Sequence, residues 1–222
     1  MWPVAATLRR NHQQVEFSIS GEIMEKPADI QFHIHDLLRR RWSPRAFADQ
    51  PVEREKIQKL LEAARWAPSC FNEQPWVFIL ATTQHPENHQ KLLSCLVDGN
   101  QIWAKRAPLL LLTIAKLRFD HNGQVNRHAY HDVGLAVGNL VVQAKAMDLA
   151  VHQMAGILPD TICECYALPA GYEAVTGIAI GYQGDSSTLP DPLRERELAP
   201  RSRKPLSEFV FSETWGRNPE CL

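Results

Sequence analysis

The chain has 222 residues, 24 Lys and Arg against 25 Asp and Glu, nine His and five Cys, with 45% hydrophobic and 22% charged residues. At roughly 100–200 residues per domain that is one globular domain, or at most two small ones. A net charge of −1 supplies no long-range field for nucleic acid or an anionic membrane, so neither is expected as a partner unless a local basic patch exists.

The first thirty or so residues differ from the rest. Met1 to Glu25 mixes short polar and apolar pieces without sustained periodicity, and Met24-Glu25-Lys26-Pro27 reads as a second start. Residues 1–33 are therefore expected to be an N-terminal extension, with 1–23 loosely attached or an upstream mis-start, ahead of a single domain over 34–222. Arg9-Arg10 leads into Asn11-His12-Gln13-Gln14 and not into an apolar stretch, which is not the pattern of a secretory signal.

Ile34 to Arg41 reads as a short helix, and Arg45-Ala46-Phe47 leads through a polar turn to Pro51, a good first-turn residue. Val52 to Trp66 spaces Val52, Ile57, Leu60, Leu61 and Ala64 on one side, which predicts an amphipathic helix. Pro68 ends it, because the residue before a proline disfavours helical geometry. A loop runs to Pro75, then Trp76 to Thr82 reads as a strand and Pro86 to Leu96 as a helix. Pro108 to Ala115 is almost wholly apolar and too short for a free helix, so it reads as a strand buried on both faces.

The strongest helical pattern is Asn126 to Leu149, carried by Tyr130, Val133, Val137, Leu140, Val141, Ala144 and Met147. Gly134 and Gly138 lie four apart within it, at about 1 kcal/mol each against Ala. That cost points to close packing against another helix, across a core or a dimer seam; two merely tolerated glycines are the other reading. A strand over Ala150 to Gln153, a helix over Pro159 to Leu168 and a strand over Ala174 to Gly181 follow. After Gly184-Asp185 the chain turns polar and proline-rich and is expected to wrap over the surface as a C-terminal arm. Long helices with few strands imply an α+β sandwich.

Cys70, Cys95, Cys163, Cys165 and Cys221 are odd in number and scattered. They form no disulfide framework or zinc site and suit a reducing cytoplasmic setting. The longest apolar runs fall far short of the roughly 20 residues that cross a bilayer. There is no G-x-S-x-G, Walker loop, H-E-x-x-H or G-x-G-x-x-G after a strand. His85 with His89, and His128 with His131, have helical spacing for a metal but lack further ligands, and they read as solvated helix residues. Cys163-Glu164-Cys165 reads as an incidental pair, and Cys70 as a packing residue, since no His lies near it in sequence.

Two basic clusters and one loop remain. Arg41, Ser43 and Arg45 alternate along an extended stretch, and Arg201-Ser202-Arg203-Lys204 lies far downstream. Guanidinium groups and a hydroxyl suit a phosphate dianion through charge-assisted hydrogen bonds. From the residues alone, the first cluster is equally a solvated charged surface. Ala67-Pro68-Ser69-Cys70-Phe71-Asn72-Glu73-Gln74-Pro75-Trp76 is stiffened at both ends by proline, and Ser69, Asn72 and Gln74 offer donors and acceptors to a planar heterocycle. A structural turn is the other reading of that loop.

Taken in order, these pieces resemble the FMN-dependent nitroreductases. The matching elements are Arg41-x-Ser43-x-Arg45-x-Phe47, Ala67-Pro68-Ser69-x-x-Asn72-x-Gln74-Pro75-Trp76, Asp132-x-Gly134-x-Ala136, His152-Gln153-Met154-Ala155-Gly156, Gly181-Tyr182 and Arg201-x-Arg203-Lys204-Pro205-Leu206. The resemblance implies a three-layer α-β-α sandwich with a central mixed, mainly antiparallel sheet, forming an interlocked homodimer with FMN at the subunit interface. It puts the phosphate with Arg41, Ser43, Arg45, Arg201 and Arg203, the ribityl chain and ring with Pro68, Ser69, Asn72 and Gln74, and the redox edge by Met154, Ala155 and Gly156. Trp42 completes the expected cofactor contacts; it stands where many relatives carry a second basic residue. Cys70 replaces a frequent Ser, and Ile157 a frequent aromatic.

The activity implied is ping-pong hydride transfer from NADH or NADPH to a nitroaromatic, quinone or related electron-poor acceptor, with no single catalytic side chain, because the flavin carries the chemistry. Two alternatives stay open. One is a flavin-binding protein that stores or senses FMN without turnover. The other is a different flavin reaction, such as reductive dehalogenation, enone reduction or flavin destruction, since function lives in the site and not in the fold.

Overall fold

The apolar run ahead of Lys116 is the hub of the architecture. A computed structural model describes residues 24–222. In it β2 (Leu109–Lys116) lies between β1 (Trp76–Thr82) and β4 (Tyr172–Gly181), with β3 (Ala150–Met154) beyond β4. All three pairings are antiparallel. Leu109 through Ala115 are buried without exception, as expected of a strand covered on both sides. Its alternate side chains feed two cores: Leu109, Leu111 and Ala115 one, Leu110, Leu112 and Ile114 the other.

The first core is closed by α2 (Arg54–Arg65) and α5 (Ala129–Ala146), through Leu60, Ala64, Val133, Val137, Leu140 and Ala144. The second is closed by α3 (Pro86–Leu93), α4 (Asp98–Ala104) and α6 (Pro159–Tyr166), through Leu92, Leu93, Trp103 and Ile162. Helices therefore cover both faces of the sheet, giving the three expected layers. The register shifts once, where Thr113 faces Thr176 and Ile114 faces Ala174. The Thr113 hydroxyl accepts the Thr176 N–H at 3.1 Å, so the bulge keeps this buried polar side chain bonded.

Several elements differ from the sequence reading. Residues 98–104, read without structure, form α4. β4 begins at Tyr172, two residues early, and α5 runs 129–146 and not 126–149, because Asn126 Oδ1 accepts the His128 N–H at 3.0 Å and makes a local turn. The proline-rich arm contains a helix, α7 (Asp191–Leu198), with Pro192 in its first turn, where a missing N–H costs nothing. α1 is shorter than expected, Asp36–Arg40. His89 is buried, with Nε2 2.9 Å from Ala107 O, so it is a core histidine and not a solvated one; His85 is exposed. A Cβ at Gly134 or Gly138 would meet nothing within 4 Å, so no other part of the described chain packs on these glycines.

The expected extension divides in two. Residues 1–23 lie outside the described residues. Residues 24–33 are tied to the domain: Gln183 Nε2 donates to Met24 O (2.9 Å), Arg40 pairs with Glu25 (2.8 Å), and Ala28 N–H donates to Arg39 O (2.8 Å).

Candidate active site

The strand pair at the C-terminal end of β4 brings the two arginine clusters together. Past Gly181 the chain bridges back to residues 46–48: Gln183 pairs with Phe47, Ala48 N–H donates to Tyr182 O (2.9 Å), and Gly184 N–H donates to Ala46 O (2.9 Å). Arg41 to Arg45 lead into that pair, and α7 returns Arg201 and Arg203 to the same place. The result is a cavity of about 230 Å³ whose walls include Arg41, Trp42, Ser43, Arg45, Arg201 and Arg203. Residues some 160 positions apart in sequence thus line one cavity.

The cavity is strongly cationic. Burial, then Arg201 and Arg203, pull the Arg41 guanidinium below its usual range; burial and then Arg203 do the same to Arg201. Among the described residues, Glu197 is the one carboxylate in the cavity wall, and it is 1% exposed. It accepts the backbone N–H of Arg45 at 2.8 and 3.0 Å and of Ala46 at 3.2 Å, and lies 3.9 Å from the Arg45 guanidinium. Such a set of converging guanidiniums fits a phosphate dianion, which would relieve the repulsion among them. Arg41 also donates to the Ser43 hydroxyl at 3.3 Å.

His152 on β3 braces the same loop. Carbonyl oxygens only accept, so Nδ1 carries the proton it donates to Ser43 O (2.9 Å) and Pro44 O (3.1 Å), while the ring packs 4.6 Å from Trp103. Burial first, and then the Arg45 charge, hold its pKa down to about 4. The unfolded ring, titrating near 6.5, takes up its proton at higher pH than the folded one. Stability from the neutral ring is therefore complete above pH 6.5 and lost as pH falls toward 4, by no more than about 3 kcal/mol. His152→Gln is expected to flatten that part of the stability curve, as read from urea midpoints between pH 4 and 7.

The segment expected at the redox edge follows β3. Gly156 O accepts Asn100 Nδ2 at 3.0 Å and the Val97 N–H at 3.1 Å, and a Cβ at Gly156 would stand 2.6 Å from both side chains. Glycine here lets α4 close on the strand end. Met154 is buried and Ala155 exposed.

The proline-bounded loop lies elsewhere. It enters β1 at Trp76, which pairs with Ala115, and Lys116 N–H donates to Pro75 O (2.8 Å), so the loop sits where β4 begins. The arginine cavity sits where β4 ends, ten residues on, a separation of roughly 30 Å at about 3.3 Å per residue. It also lies toward the β1 edge, whereas β3 and Gly156 form the opposite edge. Pro68, Ser69, Asn72 and Gln74 therefore occupy the diagonally opposite corner of the sheet, and a single chain does not join them to the arginines.

That loop is nonetheless built to shape. Asp132, 2% exposed at the start of α5, accepts the Cys70 N–H (3.0 Å), and Ser69 Oγ accepts the Gln74 N–H (3.0 Å). Phe71, Asn72 and Gln74 hold φ of 53°, 56° and 51°, a left-handed conformation costing about 1–2 kcal/mol per residue for non-glycines. Phe71 is 81% exposed and meets Phe119 edge-on (5.9 Å) and His121 (5.8 Å).

Sequence reasoning missed Lys26, Arg196 and Glu197 in the arginine cavity and Asn100 beside Gly156. Glu197 alternates with arginines in Arg194-Glu195-Arg196-Glu197, which reads as a solvated helix face, and Lys26 lay in the expected extension.

Comparison with known proteins agrees with this architecture. The nitroreductase family model matches residues 38–182. The NAD(P)H FMN reductase of Bacillus subtilis is 26% identical over 162 residues, covering 65% of this chain and 64% of its own length. The major NAD(P)H-flavin oxidoreductase of Aliivibrio fischeri is 24% identical over 216 residues, covering 80% and 96%. A solved oxidoreductase containing FMN superposes with a TM-score of 0.80 at 36% identity, over 85% of this chain and 96% of its own. With a match that runs from α1 through β4 and past it to Tyr182, this chain belongs to the nitroreductase family.

Proposed function

We propose that the protein is an FMN-dependent oxidoreductase that takes reducing equivalents from NADH or NADPH and passes them to a small electron-poor acceptor. The observation that carries this reading is the cavity lined by Arg41, Ser43, Arg45, Arg201 and Arg203, with Glu197 the single carboxylate among its described lining residues. Relatives named for FMN and NAD(P)H support it. The flavin, when bound, supplies hydride transfer in both half-reactions.

The chain's own residues would then bind and orient. The arginines hold the phosphate where β4 ends, β3 gives a track of about 13 Å toward Gly156, and the Ala155–Gly156 backbone faces the redox edge. Pro68, Ser69, Asn72 and Gln74 complete the site from a second copy, since in one chain they stand at the far corner of the sheet. The glycines of α5 that meet nothing among the described residues suit the seam of that homodimer. The exposed rings of Phe71 and His121, with the half-buried Phe119 against them, favour a flat acceptor such as a nitroaromatic or quinone.

Purified protein incubated with FMN is expected to retain flavin absorption after gel filtration and to run as a dimer. Anaerobic NADH or NADPH should then bleach it within seconds to minutes, and a nitroarene or quinone should restore the colour. Protein that takes up no FMN would refute the reading, and a monomer that keeps it would refute the shared site. Flavin that stays oxidised with both dinucleotides would favour storage or sensing, and reoxidation only by halogenated or enone acceptors a different flavin reaction.

A further inference from the structure

We propose that Lys26, carried by the segment ahead of α1, is a positioning residue that latches the arm bearing Arg201 and Arg203 against Arg41. The inference rests on the flavin reading above and extends it to a residue outside the family match, which begins at residue 38.

The contacts run both ways. Lys26 Nζ donates to Glu197 O at 2.6 Å and to Ala199 O at 2.5 Å, two carbonyls where α7 ends, while Arg201 Nη1 donates back to Lys26 O at 2.5 Å and to Arg39 O at 3.2 Å. Helix ends leave carbonyls without partners inside the helix, and a cation there is favoured. The ammonium also lies 4.8 Å from the centre of the Trp42 ring, which fixes it beside Arg41-Trp42-Ser43. Lys26 thus touches both arginine-bearing segments and lines the cavity between them.

Charge explains why a latch is needed. The guanidiniums of Arg41, Arg201 and Arg203 disfavour one another, and past Ala199 the hydrogen bonds that tie the arm to the rest of the described residues are those of Arg201 to Lys26 O and Arg39 O. Contacts to neutral carbonyls hold it without consuming the positive charge. Two of the three N–H groups of the ammonium go to Glu197 O and Ala199 O, so Lys26 acts through the arm that it holds. A bland alternative is that Lys26 only stitches the leading segment to the fold.

Comparing FMN with riboflavin, which lacks the phosphate, separates the two. In the full chain, Lys26→Met is expected to weaken FMN binding about tenfold, measured by flavin fluorescence, and to leave riboflavin binding within about twofold. Lys26→Arg should restore most of the FMN affinity. In flavin-free Lys26→Met, trypsin should cut faster after Arg201 or Arg203. An FMN-to-riboflavin ratio equal to that of the unaltered protein, with both affinities unchanged or both reduced alike, overturns the proposal while the flavin reading stands. If the unaltered protein itself does not prefer FMN to riboflavin, the phosphate reading fails instead. The latch is then judged on trypsin alone, and unchanged arm cleavage in Lys26→Met overturns it.

Discussion

Replacing Arg41 and Arg203 together by Ala is expected to raise the dissociation constant for FMN by about a hundred- to ten-thousand-fold. Each guanidinium removed takes away a charge-assisted hydrogen bond to phosphate, at about 1.5–3 kcal/mol apiece, and 1.4 kcal/mol is a factor of ten. The flavin-free protein should lose little stability. Arg41 is held below its usual range by burial and by the neighbouring guanidiniums, Arg203 among them, so removing two of the cations relieves repulsion in the empty cavity. Flavin titration by fluorescence and melting of the flavin-free protein measure the two effects separately. Full retention of FMN in the double variant would mean that the phosphate binds elsewhere, and a collapse in melting temperature would mean that the arginines are structural.

Gly184→Ala is expected to destabilise the protein by about 3 kcal/mol or more, at the upper end of what overpacking costs. A Cβ there would stand 2.5 Å from the carbonyl carbon and oxygen of Phe47 and 2.8 Å from Ala48 N. These are main-chain atoms, so no rotamer change makes room. The pairing of Gln183 with Phe47 and the hydrogen bond from Gly184 N–H to Ala46 O must open instead. For a chain of this size the loss corresponds to roughly 6–12 °C in melting temperature. Because Arg41 to Arg45 run into the same pair, FMN affinity should fall with it. A variant that melts normally would show that the 46–48 segment is free to shift, and the cavity would then be less rigid than its hydrogen bonds imply.

The layers of the fold were legible because their signals are local. Leu109 to Ala115 has no polar residue but Thr113, and a run that short has only a doubly covered strand as its home. α5 announced itself through seven apolar residues at helical spacing. α4 did not, because Ile102, Trp103 and Ala104 are adjacent and not periodic, and Gly99 argues against a helix start. At the site, the arginines and the loop were readable as side-chain chemistry, but their placement was not. Glu197 looks solvated in sequence and is buried only because the N–H groups of Arg45 and Ala46 converge on it. Likewise, nothing in Phe71 or Gln74 predicts a left-handed backbone, which is imposed by anchors at Asp132 and Ser69.

Placing the arginine cavity and the Ser69–Gln74 loop at opposite corners of one sheet has a thermodynamic consequence on the shared-site reading. Cofactor capture and chain pairing become one linked equilibrium, in which whatever tightens pairing tightens retention by the same factor, and the reverse. Occupancy then depends on total protein concentration as well as on free flavin, and dilution alone drains cofactor from the protein.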